Sequence, residues 1–345
     1  MVTKRVAVFI FLVIVFSCGE KTDPTPAPPE SHTFTNPVLS SSPDPWVFQR
    51  GGKYFVTYTT GNNIRLYAAE EMSDIALGQT KVIWTPPASG MNSKNIWAPE
   101  IHYVTDRWYV YYAADDGNNQ NHRIWVLENS SEDPFQGEWI DRGQLQLPDD
   151  KWAIDGTITT INGVLYFAWS GWESDQNVRQ DIYLVKMQTP LTAIGTRIKI
   201  SSPQLPWELA GGSPAVNEAP QFLIHDNSVF ITYSASGCWT DDYAIGLLSA
   251  SGGNLLEPSS WAKSDQPLLT KNAASLAYGP GHNAFFKSKD GTEDWITYHA
   301  NASAGAGCGD SRSMRMQKFT WQNGKPFFGQ PVAIGSAIQV PSGEN

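Results

Sequence analysis

Basic residues are the scarcer charge in this chain. Against 34 Asp and Glu there are 24 Lys and Arg, so the formal net charge is −10. A surface this acidic repels phosphate backbones, and the sequence therefore predicts no nucleic-acid partner. A neutral polysaccharide meets no such repulsion, and the 14 tryptophans, 13 tyrosines and 15 phenylalanines offer flat apolar faces to sugar rings.

The chain also lacks the short motifs of several enzyme classes. It contains no Gly-x-Ser-x-Gly elbow, no His-Glu-x-x-His pair, no phosphate-binding glycine loop and no Cys-x-x-Cys pair. A sustained helical period is missing as well, which argues against an α/β barrel. The remaining candidates are all-β architectures.

Long apolar runs are missing except at the start. Lys4 and Arg5 precede an apolar run from Val6 to Phe16 that ends at Ser17-Cys18 and is too short for a mature membrane span. This pattern resembles a bacterial lipoprotein signal. We expect a signal peptide over 1–17, then lipidated Cys18 and a proline-rich tether over 18–33, and a catalytic domain over 34–345. The mature protein is therefore predicted to be an exported monomer that is anchored to the membrane only through its lipid.

A unit of about 60 residues recurs five times after residue 34. In each unit a polar residue beside Pro or Gly leads into an apolar strand, a turn, an aromatic strand and a third strand. A weaker fourth strand is placed near 81–84, 139–142, 197–200, 267–269 and 331–334. Four antiparallel strands in each of five units predict an all-β, five-bladed β-propeller. A β-sandwich would not repeat this regularly.

The first strand of each propeller blade lines the central channel, so the residues that open these strands face the axis. Four carboxylates and an imidazole meeting there would repel one another unless a function required them. Glycosidic cleavage needs one carboxyl group to protonate the departing oxygen and another to activate water or attack the sugar. A third carboxylate nearby raises the pKa of the acid. The five residues are Asp44, Glu100, Asp155, Glu218 and His282.

These motifs resemble glycoside hydrolase family 43, whose members are five-bladed propellers acting on arabinose- and xylose-containing polysaccharides. The resemblance rests on Pro43-Asp44-Pro-Trp, Trp97-Ala-Pro-Glu, Ile154-Asp155-Gly-Thr, Asn217-Glu218-Ala-Pro, Gly279-Pro-Gly-His282-Asn and Arg312-Ser-Met-Arg315. It implies that Asp44 is the general base, Asp155 the residue that modulates the acid's pKa and orients it, and Glu218 the general acid. It also implies that His282 lies near a metal, commonly calcium; the alternative is a core histidine bonded to the base or modulator.

Loops joining second and third strands return to the same face as the axial residues, where they form a polar rim. Trp97, Trp172 and Trp239 are candidates to contact sugar there, although Trp97 can instead pack between blades. Arg312 and Arg315 can bond a substrate hydroxyl or pair with a catalytic carboxylate. Cys238 and Cys308 lie in equivalent loops of adjacent blades, and export to an oxidising compartment predicts that they are bridged.

The resemblance favours an inverting hydrolase that releases terminal α-L-arabinofuranose from plant cell-wall arabinan or arabinoxylan. A base that leaves room for water predicts carboxyl groups of Asp44 and Glu218 roughly 6.5–9.5 Å apart. Within the enzyme class the alternatives are a β-xylosidase and an endo-arabinanase. The non-enzymatic alternative is a lipid-anchored glycan-binding propeller, against which the presence of all three carboxylates argues.

Overall fold

In this computed structural model the described residues are Met1, Val2 and 32–345. All but the first two residues of the predicted signal, together with Cys18 and nearly all of the predicted tether, lie outside them. Residues 32–345 form one compact unit. It begins two residues before the expected boundary at Phe34, because strand β1 (Thr33–Phe34) already pairs antiparallel with the last strand of the chain. No helix in the described part of the chain is both long and apolar enough to cross a bilayer.

Five blades of four antiparallel strands make up the domain and confirm the predicted propeller. Blade 1 consists of β2 (Trp46–Arg50), β3 (Lys53–Thr57), β4 (Ile64–Ala69) and β5 (Gln79–Trp84). Blade 2 consists of β6 (Lys94–Val104), β7 (Arg107–Asp115), β8 (Arg123–Asn129) and β9 (Ile140–Gln144). Blade 3 consists of β10 (Ala153–Ile161), β11 (Val164–Gly171), β12 (Arg179–Thr189) and β13 (Thr192–Ser201).

Blade 4 consists of β14 (Ala215–His225), β15 (Ser228–Ala235), β16 (Ala244–Ser251) and β17 (Ala262–Lys263). Blade 5 consists of β18 (Tyr278–Lys287), β19 (Asp294–Asn301), β20 (Ser313–Gln322) and β21 (Lys325–Phe327), and β22 (Ile338–Gln339) follows it. A short parallel pairing of β12 with β14 joins blades 3 and 4. Short 3-10 helices occupy connections at Ile75–Leu77, Asn119–Asn121, Pro258–Ser260 and Ala273–Ser275.

Apolar residues on both faces of the middle strands hold the blades together. In β7, Trp108 and Val110 pack in a core shared with blade 1, whereas Tyr109 and Tyr111 pack in a core shared with blade 3. Each blade is therefore covered on both faces, which explains why these strands are almost continuously apolar. The chain before blade 1 closes the ring, because Leu39 forms a bridge with Met314 of β20.

The predicted positions of two outer strands were wrong. In blade 4 the fourth strand is β17, and the segment at 267–269 adds only an isolated bridge from Leu269 to Ile245. In blade 5 it is β21, which precedes the predicted segment at 331–334. Outer strands have one neighbour and little buried surface, so the hydrophobic pattern specifies their position weakly.

A shared bulge shapes the innermost strands and aims their polar residues at the axis. In blades 2 to 5 the register shifts between Trp97 and Glu100, Ile154 and Thr157, Glu218 and Gln221, and Gly281 and Ala284. Each bulge contains a residue with positive φ, and Asp44 has the same conformation just before β2. These residues are Asp44 (φ 56°), Ala98 (41°), Asp155 (55°), Ala219 (52°) and His282 (47°).

The bulges correct the predicted position of Glu100. It lies two residues beyond Ala98, level with Trp46, Thr157 and Gln221 of the other blades, and not with Asp44. Its buried carboxylate accepts one hydrogen bond from Nε2 of Gln221 and lies 3.0 Å from Nε2 of His102. Glu100 therefore belongs to the interior of the channel and does not join the other carboxylates.

Candidate active site

A pocket of about 510 Å³ opens at the end of the channel where the bulges lie. Its volume lies within the range typical of small-molecule sites. The structure brings most of the predicted site residues together in its wall. Those that line it are Asp44, Asp155, Glu218, Trp97, Trp239, His282, Arg312 and the two cysteines, Cys238 and Cys308.

Asp44 is surrounded by basic groups. Its Oδ1 lies 2.7 Å from Nη1 of Arg312 and 3.3 Å from Nδ1 of both His282 and His299. Burial alone would raise the pKa of Asp44, but the Arg312 guanidinium and the neighbouring His282 hold it well below its ordinary value. Asp44 is therefore ionised at neutral pH, the form that a base requires.

The pKa of Glu218 is shifted in the opposite direction. Burial and the negative charge of Asp44 raise its pKa to about 7, against the lowering effects of a hydrogen bond from Tyr243 and the charge of Arg312. The hydroxyl of Tyr243 donates that bond to Oε1 over 2.7 Å. One pocket thus holds an ionised carboxylate and a carboxyl that keeps its proton near neutral pH, which is the combination needed for acid and base catalysis.

Asp155 lines the same pocket as Glu218 and interacts with its charge. Burial, with the charges of Glu218 and Asp44, raises the pKa of Asp155 well above its ordinary value. Its Oδ2 accepts the backbone N–H of Ala219 over 2.9 Å, so Asp155 also anchors the residue that follows Glu218. The last proton of this pair must leave against the charge of the other carboxylate, which keeps the pair protonated to higher pH.

Asp155→Asn should therefore shift the alkaline limb of the kcat/KM profile to lower pH. With a neutral amide in place, the proton on Glu218 leaves without repulsion from a neighbouring charge, and the pKa of Glu218 falls. Asp181→Asn is a matched control, since Asp181 is another buried carboxylate of blade 3 but pairs with Arg179. A limb that stays in place in Asp155→Asn, or that moves equally in the control, would remove the modulating role of Asp155.

The aromatic candidates divide between the pocket and the core. Trp97 lines the pocket and stacks on the imidazole of His122, with centroids 4.0 Å apart. Trp239 lines it too and is 43% exposed. Trp172 was predicted to contact sugar but is 2% exposed, because it stacks behind Trp152 at 4.8 Å. Trp152, which the repeat pattern did not identify, lines the pocket in its place.

The two arginines also separate. Arg312 reaches the pocket and pairs with Asp44, one of the two roles considered for it. Arg315 is fully buried, and its guanidinium donates to the carbonyl oxygens of Ser275, Leu276 and Asn301. It therefore stabilises the backbone of the fold, and it takes neither of the roles considered for it, a substrate contact or a partner of a catalytic carboxylate.

A disulfide joins Cys238 and Cys308, which lie 70 residues apart in the sequence, and both cysteines line the pocket. Replacing both by serine should lower the free energy of unfolding by about 2–4 kcal/mol, because the unfolded chain is no longer constrained. Turnover should fall as well, since two pocket loops lose their link. Thermal unfolding of the double variant against wild type with and without reductant measures this. A wild-type protein insensitive to reductant would contradict it.

His282 offers little for the expected calcium ion. Calcium takes six to eight oxygen ligands, whereas His282 supplies an imidazole whose Nδ1 faces Asp44. Among the described residues no group of three or more His, Cys, Asp or Glu side chains is arranged to hold a metal. These side chains alone do not fit a protein-ligated calcium ion. His282 lies against the proposed base, with its Nδ1 3.3 Å from Oδ1 of Asp44.

Besides Trp152, the sequence did not identify two residues that bond to the acid and the base. Tyr243 bonds the Glu218 carboxyl, and His299 accepts the backbone N–H of Asp44 at Nδ1 over 3.0 Å. Burial and the charge of Arg312 lower the pKa of His299 to about 3, so its ring is neutral. Tyr243 immediately precedes a third strand, and His299 lies within a second strand, where aromatic residues are common in every blade. Nothing in the repeat distinguishes them from core residues.

Comparisons with known proteins agree with this geometry. The family model described as "Glycosyl hydrolases family 43" matches residues 34–326. An extracellular exo-α-(1→5)-L-arabinofuranosidase of Streptomyces avermitilis is 37% identical over 348 residues, covering 96% of this chain and 72% of that protein. An enzyme of the same name from Streptomyces chartreusis is 37% identical over 283 residues, covering 80% of this chain and 84% of that protein.

Solved structures show the same architecture. The crystal structure of an α-L-arabinofuranosidase from Lactobacillus brevis superposes with a TM-score of 0.82 at 30% identity, covering 88% of this chain and 98% of that one. A thermostable family-43 glycoside hydrolase superposes with a TM-score of 0.71 at 23% identity, covering 90% and 98%, and supports the fold. The sequence match, the propeller and the paired carboxyl groups lead to one conclusion: this chain belongs to glycoside hydrolase family 43 and is a glycosidase.

Proposed function

We propose that this protein is an exo-acting, inverting α-L-arabinofuranosidase. The observation that carries the proposal is the opposite protonation of two carboxyl groups in one pocket. Arg312 and His282 help hold Asp44 ionised, while burial keeps the pKa of Glu218 near 7. In this assignment Asp44 takes a proton from water, and Glu218 gives one to the departing glycosidic oxygen. In the same assignment Asp155 is the residue that orients Glu218 and modulates its pKa.

The choice of an arabinofuranosyl substrate rests on the relatives, which are named exo-α-(1→5)-L-arabinofuranosidases. The rim supports exo action. The disulfide ties the loop at Cys238 to the loop at Cys308, and Asp241 accepts the backbone N–H of Gly305 over 2.8 Å. Loops fixed in this way enclose a pocket suited to a terminal sugar of plant arabinan or arabinoxylan.

Sugar release from three substrates tests the proposal. We expect hydrolysis of 4-nitrophenyl α-L-arabinofuranoside and release of arabinose alone from linear 1,5-arabinan. Preference for 4-nitrophenyl β-D-xylopyranoside would indicate a xylosidase, and early arabino-oligosaccharides from arabinan would indicate an endo-arabinanase. Release from none of the three would favour a glycan-binding protein and contradict the proposal.

We further propose that the protein is exported and held at a membrane by a lipid on Cys18. The signal-like pattern that ends at Cys18 and the extracellular relatives support this. Fractionation of the producing cells tests it, with Cys18→Ala as the variant. Wild-type protein should sediment with membranes and the variant should not. Sedimentation of both to the same extent would contradict a lipid anchor.

A further inference from the structure

Tyr243 contacts the proposed acid but takes no part in the proton transfers assigned to Asp44 and Glu218. Its hydroxyl donates a 2.7 Å hydrogen bond to Oε1 of Glu218. The side chain is 1% exposed. Burial, followed by the charges of Glu218 and Asp155, raises the pKa of Tyr243 well above its ordinary value, so the phenol stays protonated and remains a donor.

The ring of Tyr243 is held on two sides. On one side lies Gly281, where an added Cβ would overlap the ring atoms Cδ1 and Cε1 of Tyr243. His299 stacks parallel to the ring at a centroid distance of 5.7 Å and an angle of 9°. A tyrosine packed this closely keeps its hydroxyl in one place, and glycine is required at 281 to let the ring approach.

The same packed unit also reaches the base. His299 accepts the backbone N–H of Asp44 at Nδ1 over 3.0 Å. Because Nδ1 uses its lone pair for that bond, its 3.3 Å approach to Oδ1 of Asp44 is a contact and not a second hydrogen bond. Tyr243 and His299 thus lie against each other with one bonded to the acid and the other to the base.

We propose that Tyr243 is a positioning residue that holds Oε1 of Glu218, so that the transferable proton resides on Oε2. This inference rests on Glu218 being the proposed acid. During cleavage the proton passes from Oε2 to the glycosidic oxygen, which takes the electron pair of the broken bond, and Glu218 becomes a carboxylate. Tyr243 keeps its own proton throughout. Its hydrogen bond becomes charge-assisted and stronger as the carboxylate forms, which favours proton transfer.

Four groups around Glu218 influence its titration. Asp44 and Asp155 are acidic neighbours from the innermost segments of blades 1 and 3, Arg312 is the cation at the start of β20, and Tyr243 is the donor before β16. Burial and the charge of Asp44 raise the pKa of Glu218, whereas Tyr243 and Arg312 lower it. Burial and the charge of Glu218 raise the pKa of Asp155, so the last proton of the Asp155–Glu218 pair leaves against the charge of the other carboxylate. Loss of the Tyr243 hydroxyl therefore has the opposite sign to loss of the Asp155 charge.

Tyr243→Phe tests the proposal against a matched control in the same blade. Tyr233 donates to buried Glu208 over 2.9 Å, also across 25 residues, so Tyr233→Phe removes an equivalent bond outside the pocket. In Tyr243→Phe the alkaline limb should move to higher pH by about one unit. On arabino-oligosaccharides kcat should fall on the order of tenfold with KM little changed. An unmoved limb, or an equal shift in Tyr233→Phe, would overturn the proposal.

Two further measurements cover loss of folding or of activity. Replacing Tyr243 by 3-fluorotyrosine strengthens the donor without removing it, and should move the limb to lower pH; a move upward would count against the proposal. Carbon-13 NMR of labelled glutamate side chains reports the pKa of Glu218 without any substrate, and should rise in Tyr243→Phe. If wild-type protein releases no arabinose, the proposed function fails, while the NMR titration still decides the role of Tyr243.

Discussion

Glu218→Ala should slow hydrolysis of arabino-oligosaccharides by roughly 10²–10⁴-fold, the usual contribution of a general acid. A sugar hydroxyl is a poor leaving group and needs protonation as its bond breaks. A phenol with a low pKa leaves without help, so an aryl arabinofuranoside such as the 2,4-dinitrophenyl compound should retain much more of its rate. The measurement is kcat/KM of the variant on both substrates relative to wild type.

Tyr233→Phe also serves as the control here, because it removes a hydrogen bond from the same blade without touching the pocket carboxyl groups. It should change both substrates in equal proportion. If Glu218→Ala also loses activity on both substrates equally, Glu218 is not the acid, although the propeller and the family assignment would stand.

Asp44→Asn should abolish most activity on both substrates, because water remains unactivated whatever the leaving group. Asparagine is the suitable replacement. Asp44 has a φ of 56°, a conformation that Asn tolerates better than Ala, and an amide of the same size fills the space beside Arg312 and His282. We expect a loss of at least 10²-fold on the aryl and natural substrates alike.

Rescue by azide provides a second test of the role of Asp44 in the Asp44→Asn variant. This small anion attacks without losing a proton, so it should restore part of the rate on the aryl substrate and yield an arabinosyl azide of inverted configuration. Glu218→Ala should not be restored in this way on the natural substrate, where protonation of the leaving group is what is missing. Wild-type rates in Asp44→Asn would remove Asp44 from the reaction.

The repeat predicted the blades because a propeller strand must be apolar on both faces and must be separated from the next by a turn. This placed Asp44, Asp155 and Glu218 correctly in one pocket. It could not resolve positions within the bulge. A register shift of one residue places a side chain on the opposite face of its strand. The motif aligned Glu100 with Asp44 and Asp155, but Glu100 lies two residues farther along its strand than they do on theirs.

Side chains outside the innermost strands were harder to assign. Trp172 and Trp152 are stacked partners in adjoining segments, and only the fold shows which one faces the pocket. Arg312 and Arg315 are close together in the sequence. Arg312 nevertheless pairs with Asp44, whereas Arg315 donates hydrogen bonds to buried carbonyl groups. Tyr243 and His299 act through partners more than 20 residues away, which local sequence patterns do not reveal.

The most direct test of the mechanism is the configuration of the first sugar released. Asp44 activating water on the face opposite Glu218 must convert an α-arabinofuranoside into β-L-arabinofuranose before mutarotation. Proton NMR in the first minutes of hydrolysis of 4-nitrophenyl α-L-arabinofuranoside should therefore show the β anomer first and the α anomer growing later. Appearance of the α anomer first would mean retention through a covalent intermediate and would contradict the role given to Asp44.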